Sequence, residues 1–429
     1  MTARPWIPRL PRPAWLVLGG DALSAVGSGM TLPFLLVYLS QVRGIDVGVA
    51  GLAVATVALA GFAGNPVGGW LSDVIGSRRA LVCGLLVSAV GAFTVTLVRD
   101  PWHAFAASAV VGVGLALVTP AQDALLATVV EPRQRPTVFA VRNATLNAGY
   151  GVGGVAAAFI ADLGSAQSFV VLYVVDGCTF LLFVPVLIVL LPDAGRATRR
   201  TDAATAPTSP ARRGYRAVLR DTTFLQVWVL MAFLVTIGFA QTLSGFPAYA
   251  TGDGGVGAHV VGIAFAANTF AVVLLQLPVL RVMTGHRRTT GMALACTFWA
   301  VAWVVTAIAG TSGGGSLAAV GLTAALVVFA VGETLLAPSQ ASLVNDLAPD
   351  DLRGRYNGLY TLAWTTGLMV GPALAGFALG AGHGRGLFLG LAAACLVAAS
   401  LTWGLGRRLP AHLDVVASVR DEDPVDRRP

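Results

Sequence analysis

Twelve stretches of about 20 consecutive apolar residues, joined by short polar connections, run along this chain. Such a pattern leaves few folding options. A segment of that length crosses the hydrocarbon core of a bilayer as a helix, because in lipid its backbone N–H and C=O groups must pair within the segment. The runs show no period-2 alternation, which argues against a membrane barrel. They read as 14–40, 47–71, 80–98, 102–128, 137–161, 168–191, 222–250, 258–282, 290–310, 316–345, 355–380 and 385–406. With 56% apolar and 11% charged residues among 429, the chain lacks the polar surface of a soluble domain this long and is too apolar to be disordered. The first run is long enough to span and no small-residue cleavage site follows it, so it reads as a helix and not as a signal peptide.

The formal charge is +7, and all 28 basic residues are Arg. Their placement predicts topology. With both termini in the cytoplasm, 24 Arg fall inside, only Arg43, Arg99 and Arg385 fall outside, and Arg142 lies within a span. That asymmetry obeys the positive-inside rule and predicts a multi-pass protein of the inner or plasma membrane. Short basic clusters between apolar runs make no continuous basic face, so lipid and not nucleic acid is the expected partner. Residues 192–221, rich in Arg, Ala, Thr and Pro, read as a cytoplasmic linker. An alternative for part of it is a short amphipathic helix on anionic lipid, from Tyr215, Val218 and Leu219 beside Arg216 and Arg220. The chain is thereby divided into a tail (1–13), a six-helix bundle (14–191), the linker, a second bundle (222–406) and a tail (407–429). Cys83, Cys178, Cys296 and Cys395 sit far apart inside apolar runs and the five His are scattered, which predicts neither a metal site nor a disulfide framework.

The two halves repeat at an offset of 218: Pro120 falls on Pro338, Gln122 on Gln340, Leu125 on Leu343, Arg135 on Arg353, Gly149 on Gly367, Gly153 on Gly371 and Phe159 on Phe377. Pro33 with Pro247 and Pro66 with Pro278 extend the repeat. Two six-helix halves of one design imply a pseudo-two-fold along the membrane normal, with substrate near the midplane between them.

Between the second and third spans stands Gly69-Trp70-Leu71-Ser72-Asp73-Val74-Ile75-Gly76-Ser77-Arg78-Arg79. It resembles the major facilitator superfamily signature G-x-L-x-D-x-x-G-x-[RK]-[RK], and a worn copy without the acid lies at Gly285-His286-Arg287-Arg288. Gly69 is expected to let helices approach closely, Gly76 to permit the tight turn, and Asp73 to pair with Arg78 or Arg79 or to face a helix N-terminus. The resemblance implies a twelve-helix fold of two six-helix bundles and a charge network that latches one transport state, with Asp123 as the loop's partner. Span 5, with Gly149 and Gly153, resembles the Gly/Pro-rich motif of the superfamily's drug–proton antiporters. Span 11 carries the closer copy, Gly367, Gly371 and Pro372.

Ionisable groups inside spans are costly and so point to function. Asp21, Arg142, Asp176 and Glu333 are such groups. Their counterparts in the other half are uncharged, Leu115 for Glu333 and Tyr360 for Arg142. The resemblance places the helix of Glu333 at the central cavity, where a carboxyl in an apolar wall can load a proton or attract a cationic substrate; a structural, hydrogen-bonded acid is the plainer alternative. Asp21 and Arg142 lie at matching depths and can pair, either as a structural unit or as a proton-driven switch. Asn143 and Asn147 add a polar stripe beside Arg142. Asp176, on a helix peripheral in the superfamily, reads as structural. Substrate walls are expected from Phe34, Tyr38, Asn143, Asn147, Gln241, Phe246, Tyr249, Asn268, Gln340 and Trp364, an aromatic and mostly apolar set suited to amphipathic compounds.

These features predict a monomeric secondary transporter that exports small hydrophobic or cationic compounds against inward proton flow. No cofactor or metal is expected, and no enzyme activity, for want of a Ser/His/Asp or metal constellation. Without a Lys the chain has no Walker-type loop. The alternatives are proton-coupled uptake of a nutrient such as a sugar or organic acid, and a non-transporting sensor built on the same fold.

Overall fold

The computed structural model describes residues 10–191, 215–349, 352–410 and 413–416. The described residues are almost entirely helical. The principal helices are α1 (Arg12–Val42), α2 (Val47–Ile75), α3 (Ser77–Thr96), α4 (Pro101–Val129), α5 (Arg135–Ile160), α6 (Ala166–Leu190), α7 (Thr222–Thr251), α8 (Ala258–Met283), α9 (Arg288–Ala309), α10 (Gly315–Leu347), α11 (Arg353–Gly380) and α12 (Gly384–Gly406). Eleven of them are long and apolar enough to cross a membrane. The exception is α5, which has the length but is diluted by Arg142, Asn143, Asn147, four glycines between Gly149 and Gly154, and Tyr150. The expected linker falls mostly outside the described residues, and so do residues 1–9 and 417–429 of the tails. A short helix at Tyr215–Val218 precedes α7.

Two compact units are distinguished: Met1–Thr208 with Gly257–Ala266 and Pro372–Gly380, and Ser209–Val256 with Ala267–Gly371 and Ala381–Pro429. In the first, α1 packs on α5 and α6, α4 on α2 and α3, and α3 on α6. Its core gathers Val17 and Leu18 of α1, Leu81 and Leu85 of α3, Leu125 and Leu126 of α4, and Phe180, Phe183 and Leu187 of α6. The outward residues Leu59, Phe62, Val67, Trp70 and Val74 of α2 are large, apolar and exposed, a surface suited to lipid and not to water. In the second unit α9 is central, packed on α10 and α12. Trp299 stacks on Phe329 at 4.8 Å, and Trp303 and Phe388 extend the aromatic layer.

The first helix of each half is irregular near its proline. Within α1 a 3₁₀ turn covers Leu32–Phe34 and a π segment covers Tyr38–Val42. Within α7 a π segment covers Val235–Phe239, and the helix breaks at Ser244 before resuming at Gly245–Thr251 with Pro247. A π segment frees a backbone carbonyl; Trp303 Nε1 donates to Ile237 O at 2.8 Å and satisfies one.

Close helix approach follows the repeat. A Cβ on Gly153 of α5 would stand 2.9 Å from Gly29 Cα of α1, and one on Gly149 would stand 2.6 Å from Ala25 Cβ. In the other half a Cβ on Gly367 of α11 would stand 2.6 Å from Val235 Cβ of α7, and one on Gly371 would overlap Ala240. Gly371 is followed by Pro372 inside α11. The paired glycines thus set α5 on α1 and α11 on α7 at backbone distance.

Candidate transport site: an arginine shared by two carboxylates

Arg142 projects from α5 toward α1 and α4. Its Nε donates to Asp21 Oδ2 of α1 at 3.2 Å, and its Nη1 donates to Asp123 Oδ1 of α4 at 2.9 Å. A planar guanidinium with five donors suits two acceptors on different helices. The side chains are graded in exposure: 7% for Asp21, 13% for Arg142 and 43% for Asp123. Asp123 is therefore the more exposed member and Asp21 the buried one. Gln122 of α4, fully buried, lies beside Asp21 with neither amide atom in hydrogen-bond geometry. One cation between two acids has a chemical consequence. A proton taken up by either carboxyl leaves the other to hold Arg142, so the cluster can change charge without stranding the guanidinium.

Asp21 and Arg142 meet as their depths implied. Asp123, expected beside the signature loop, sits on the face of α4 turned to α5 and pairs here with Arg142. Within the loop, Asp73 is exposed and makes no ion pair among the described residues. Arg78 Nη1 donates instead to Leu191 O at 3.0 Å and Leu187 O at 3.5 Å, at the end of α6, where helix carbonyls lack internal partners. Arg79 is exposed. Gly76 joins α2 to α3 with φ 89°, a conformation natural to glycine. The expectation for Gly69 is corrected: a Cβ there meets nothing within 4 Å, whereas one on Gly68 would stand 2.7 Å from Ala116 O and 2.9 Å from Pro120 Cγ of α4. The helical turn of α2 presents Gly68 and not its neighbour to α4.

The worn loop of the second half is completed from elsewhere in the chain. Gly285 has φ 78°, and Arg287 Nη2 donates to Gly406 O at the end of α12 at 3.4 Å, as Arg78 does at the end of α6. The missing acid is replaced by Asp414, fully buried. It pairs with Arg287 Nε at 3.1 Å and accepts from Thr289 N at 2.9 Å and Thr289 Oγ1 at 2.8 Å. Arg288 Nη1 meets Asp346 Oδ2 of α10 at 2.7 Å.

Glu333 is half-buried on α10, and the Asn268 side chain of α8 hydrogen-bonds to it. Asn268 Nδ2 also donates to Leu326 O at 3.1 Å. Among the described residues no cation pairs with Glu333. The expected substrate walls separate into two groups. Phe34 and Tyr38 are fully buried against Phe169 of α6, with Tyr38 Oη accepting from Arg43 Nε at 2.7 Å. Tyr249 is buried against Phe388 and donates to Ala307 O at 3.2 Å. Gln241 is buried and donates to Gly371 O and Thr236 O, both at 3.1 Å, tying α7 to α11, and Phe246 is fully buried as well. These five are buried and engaged in packing. Trp364 is half-buried and tilts against Phe239 at 5.0 Å; Asn143 and Asn147 are exposed. The Gln340 side chain lies outside the described residues.

Residue patterning did not point to Asp346, Asp414 or Gln122 beside the charged groups. Asp414 sits in a polar tail, and only the return of the chain to α9 reveals its role. For Gln122 the available signals are its match to Gln340 in the repeat and its adjacency to Asp123.

The sequence profile of the Major Facilitator Superfamily matches residues 17–257 and 244–424. The MFS-type transporter YqjV of Bacillus subtilis is 24% identical over 383 residues, 88% of each chain. A Na+, Li+, K+/H+ antiporter of Planococcus maritimus is 26% identical over 389 residues, 83% of this chain and 87% of that one. The multidrug resistance protein MdtH of Cronobacter sakazakii is 26% identical over 327 residues, 74% of each. Among solved structures, a POT peptide transporter in complex with alafosfalin superposes with a TM-score of 0.75 at 17% identity, over 96% of this chain and 97% of that one. That last likeness is one of fold.

Proposed function

The chain belongs to the major facilitator superfamily, and from that premise we propose that it is a proton-coupled antiporter that exports small hydrophobic or cationic compounds across the cell membrane by alternating access. The observation that carries this reading is Arg142 held between Asp21 and Asp123. A titratable cluster that ties α1, α4 and α5 together gives proton binding a mechanical consequence, since protonating one carboxyl loosens one of three helices. Glu333, without a cation partner among the described residues, is the second proton-bearing group, placed to exchange a proton for a cationic cargo. Half-buried Trp364 and Phe239 offer an aromatic surface to such a cargo. The resemblance to a multidrug resistance protein and to a cation/proton antiporter supports both the cargo class and the antiport direction. In this reading both termini face the cytoplasm, protons are the coupling ion, the chain works as a monomer, and the proton gradient is the only energy source, worth about 2.3 kcal/mol per charge per 100 mV plus the pH difference.

The test is export of a panel of cationic dyes from energised cells, with and without an uncoupler. Wild type is expected to export at least one dye in an uncoupler-sensitive manner. Glu333→Gln is expected to abolish that component while the protein still reaches the membrane. Uncoupler-insensitive export, or full activity of Glu333→Gln, sinks proton coupling through this residue.

A further inference from the structure

The first unit buries another carboxylate that the reading above does not use. Asp176 of α6 is 5% exposed, and among the described residues no Arg or His pairs with it. Thr31 Oγ1 of α1 donates to Asp176 Oδ2 at 2.8 Å, and Ser28 Oγ reaches Oδ1 at 3.5 Å. Gly27 leaves room for the acid, since a Cβ there would stand 2.5 Å from Asp176 Oδ1. Ser88 of α3 is 3% exposed, and its Oγ has no hydrogen-bond partner among the described residues. A buried hydroxyl left in that condition is destabilising unless a ligand or water satisfies it.

Ser28, Thr31, Ser88, Tyr173 and Asp176 line a single cavity of about 20 Å³, closed elsewhere by apolar side chains such as Leu35, Val111 and Phe180. Tyr173 is turned away toward Thr31 O, to which its hydroxyl donates at 3.4 Å. A cavity of that volume admits one water-sized body. Every polar side-chain atom on its wall is an oxygen, the ligand type of hard cations. A carboxylate buried without an Arg needs hydrogen bonds or a bound cation to stay charged. One carboxylate balances one positive charge, whereas Ca2+ takes about six to eight oxygens and usually several acids.

We propose that this cavity between α1, α3 and α6 binds one dehydrated Na+ or Li+ ion, with Asp176 as its charge partner and the hydroxyls of Ser28, Thr31 and Ser88 as ligands. Three helices contribute oxygens, so ion binding braces α1 against α3 and α6. The site shares no residue with the Arg142 cluster or with Glu333.

The experiment is thermal unfolding of the purified full-length chain in detergent, with NaCl or LiCl replacing choline chloride at constant ionic strength. A ligand that binds only the folded state raises the melting temperature in a saturable way. Na+ or Li+ is expected to do so by several degrees, and choline is not. Ser88→Ala is expected to raise the half-saturating Na+ concentration about tenfold while melting no lower than wild type in choline. Asp176→Asn is expected to lose the Na+ response. A wild type indifferent to Na+ and Li+ assigns the cavity to water and overturns the proposal, as does an Asp176→Asn variant that keeps the response. Should Asp176→Asn fail to fold, an unchanged half-saturation in Ser88→Ala overturns it equally.

Discussion

Arg142 shows why a charge inside a span is informative yet ambiguous until its neighbours are known. It is held by two carboxylates of unequal exposure, so its partners are not equivalent. Arg142→Gln strands the buried Asp21 as well as Asp123, and breaking such a buried pair costs about 3–5 kcal/mol. Asp21→Asn keeps the Arg142–Asp123 pair and is expected to cost clearly less. Thermal unfolding of the two variants in detergent orders them, and equal losses would show that the Asp123 contact contributes nothing. A second comparison concerns adjacent glycines. Gly68→Ala drives a methyl into Ala116 and Pro120 and is expected to cost about 1–3 kcal/mol, whereas Gly69→Ala meets open space and is expected to be neutral or slightly stabilising. The reverse order would refute the α2–α4 packing.

Helices in this chain are tuned at their ends and crossings. The first Arg of each signature loop reaches a C-terminal carbonyl of the last helix in its own half, Arg78 on α6 and Arg287 on α12. The two loops differ in their acid: Asp73 lies within the first, while the second borrows Asp414 from the tail. Asp414 accepts from Thr289 N in the first turn of α9, and loss of such a cap costs about 0.5–2 kcal/mol. Asp414→Ala is expected to speed hydrogen exchange in residues 285–292 and to leave the α9 core protected; unchanged exchange there would remove the strap. At the crossings, Gly153→Leu is expected to separate α5 from α1 and carry Arg142 away from Asp21, with loss of dye export as its readout alongside a lowered melting temperature.

At the scale of the whole chain, the sequence repeats one design in two halves, and its Arg distribution predicts an orientation with both termini in the cytoplasm. A single cysteine introduced by Ala204→Cys in the linker, on a background with Cys83, Cys178, Cys296 and Cys395 replaced by Ala, is expected to react with an impermeant thiol reagent only from the cytoplasmic side. Labelling from outside would invert the topology and with it the direction of transport proposed above.

Hydropathy and glycine spacing made the helices, the repeat and the family signature legible, because lipid forces each span to satisfy its backbone locally and leaves that demand written in consecutive residues. The α1–α5 and α7–α11 crossings were marked by Gly149, Gly153, Gly367 and Gly371 for the same reason: close approach excludes a side chain at fixed positions. Partner choice was a different matter. That Asp123 belongs to Arg142, that Gly68 rather than Gly69 faces α4, that Gln241 and Tyr249 are spent on packing, and that Asp414 returns to cap α9 all depend on the rotation of helices about their axes and on the path of a polar tail. A carboxylate reaches any cation within a few ångströms, whatever its distance in sequence, so only the assembled helices decide which charges meet.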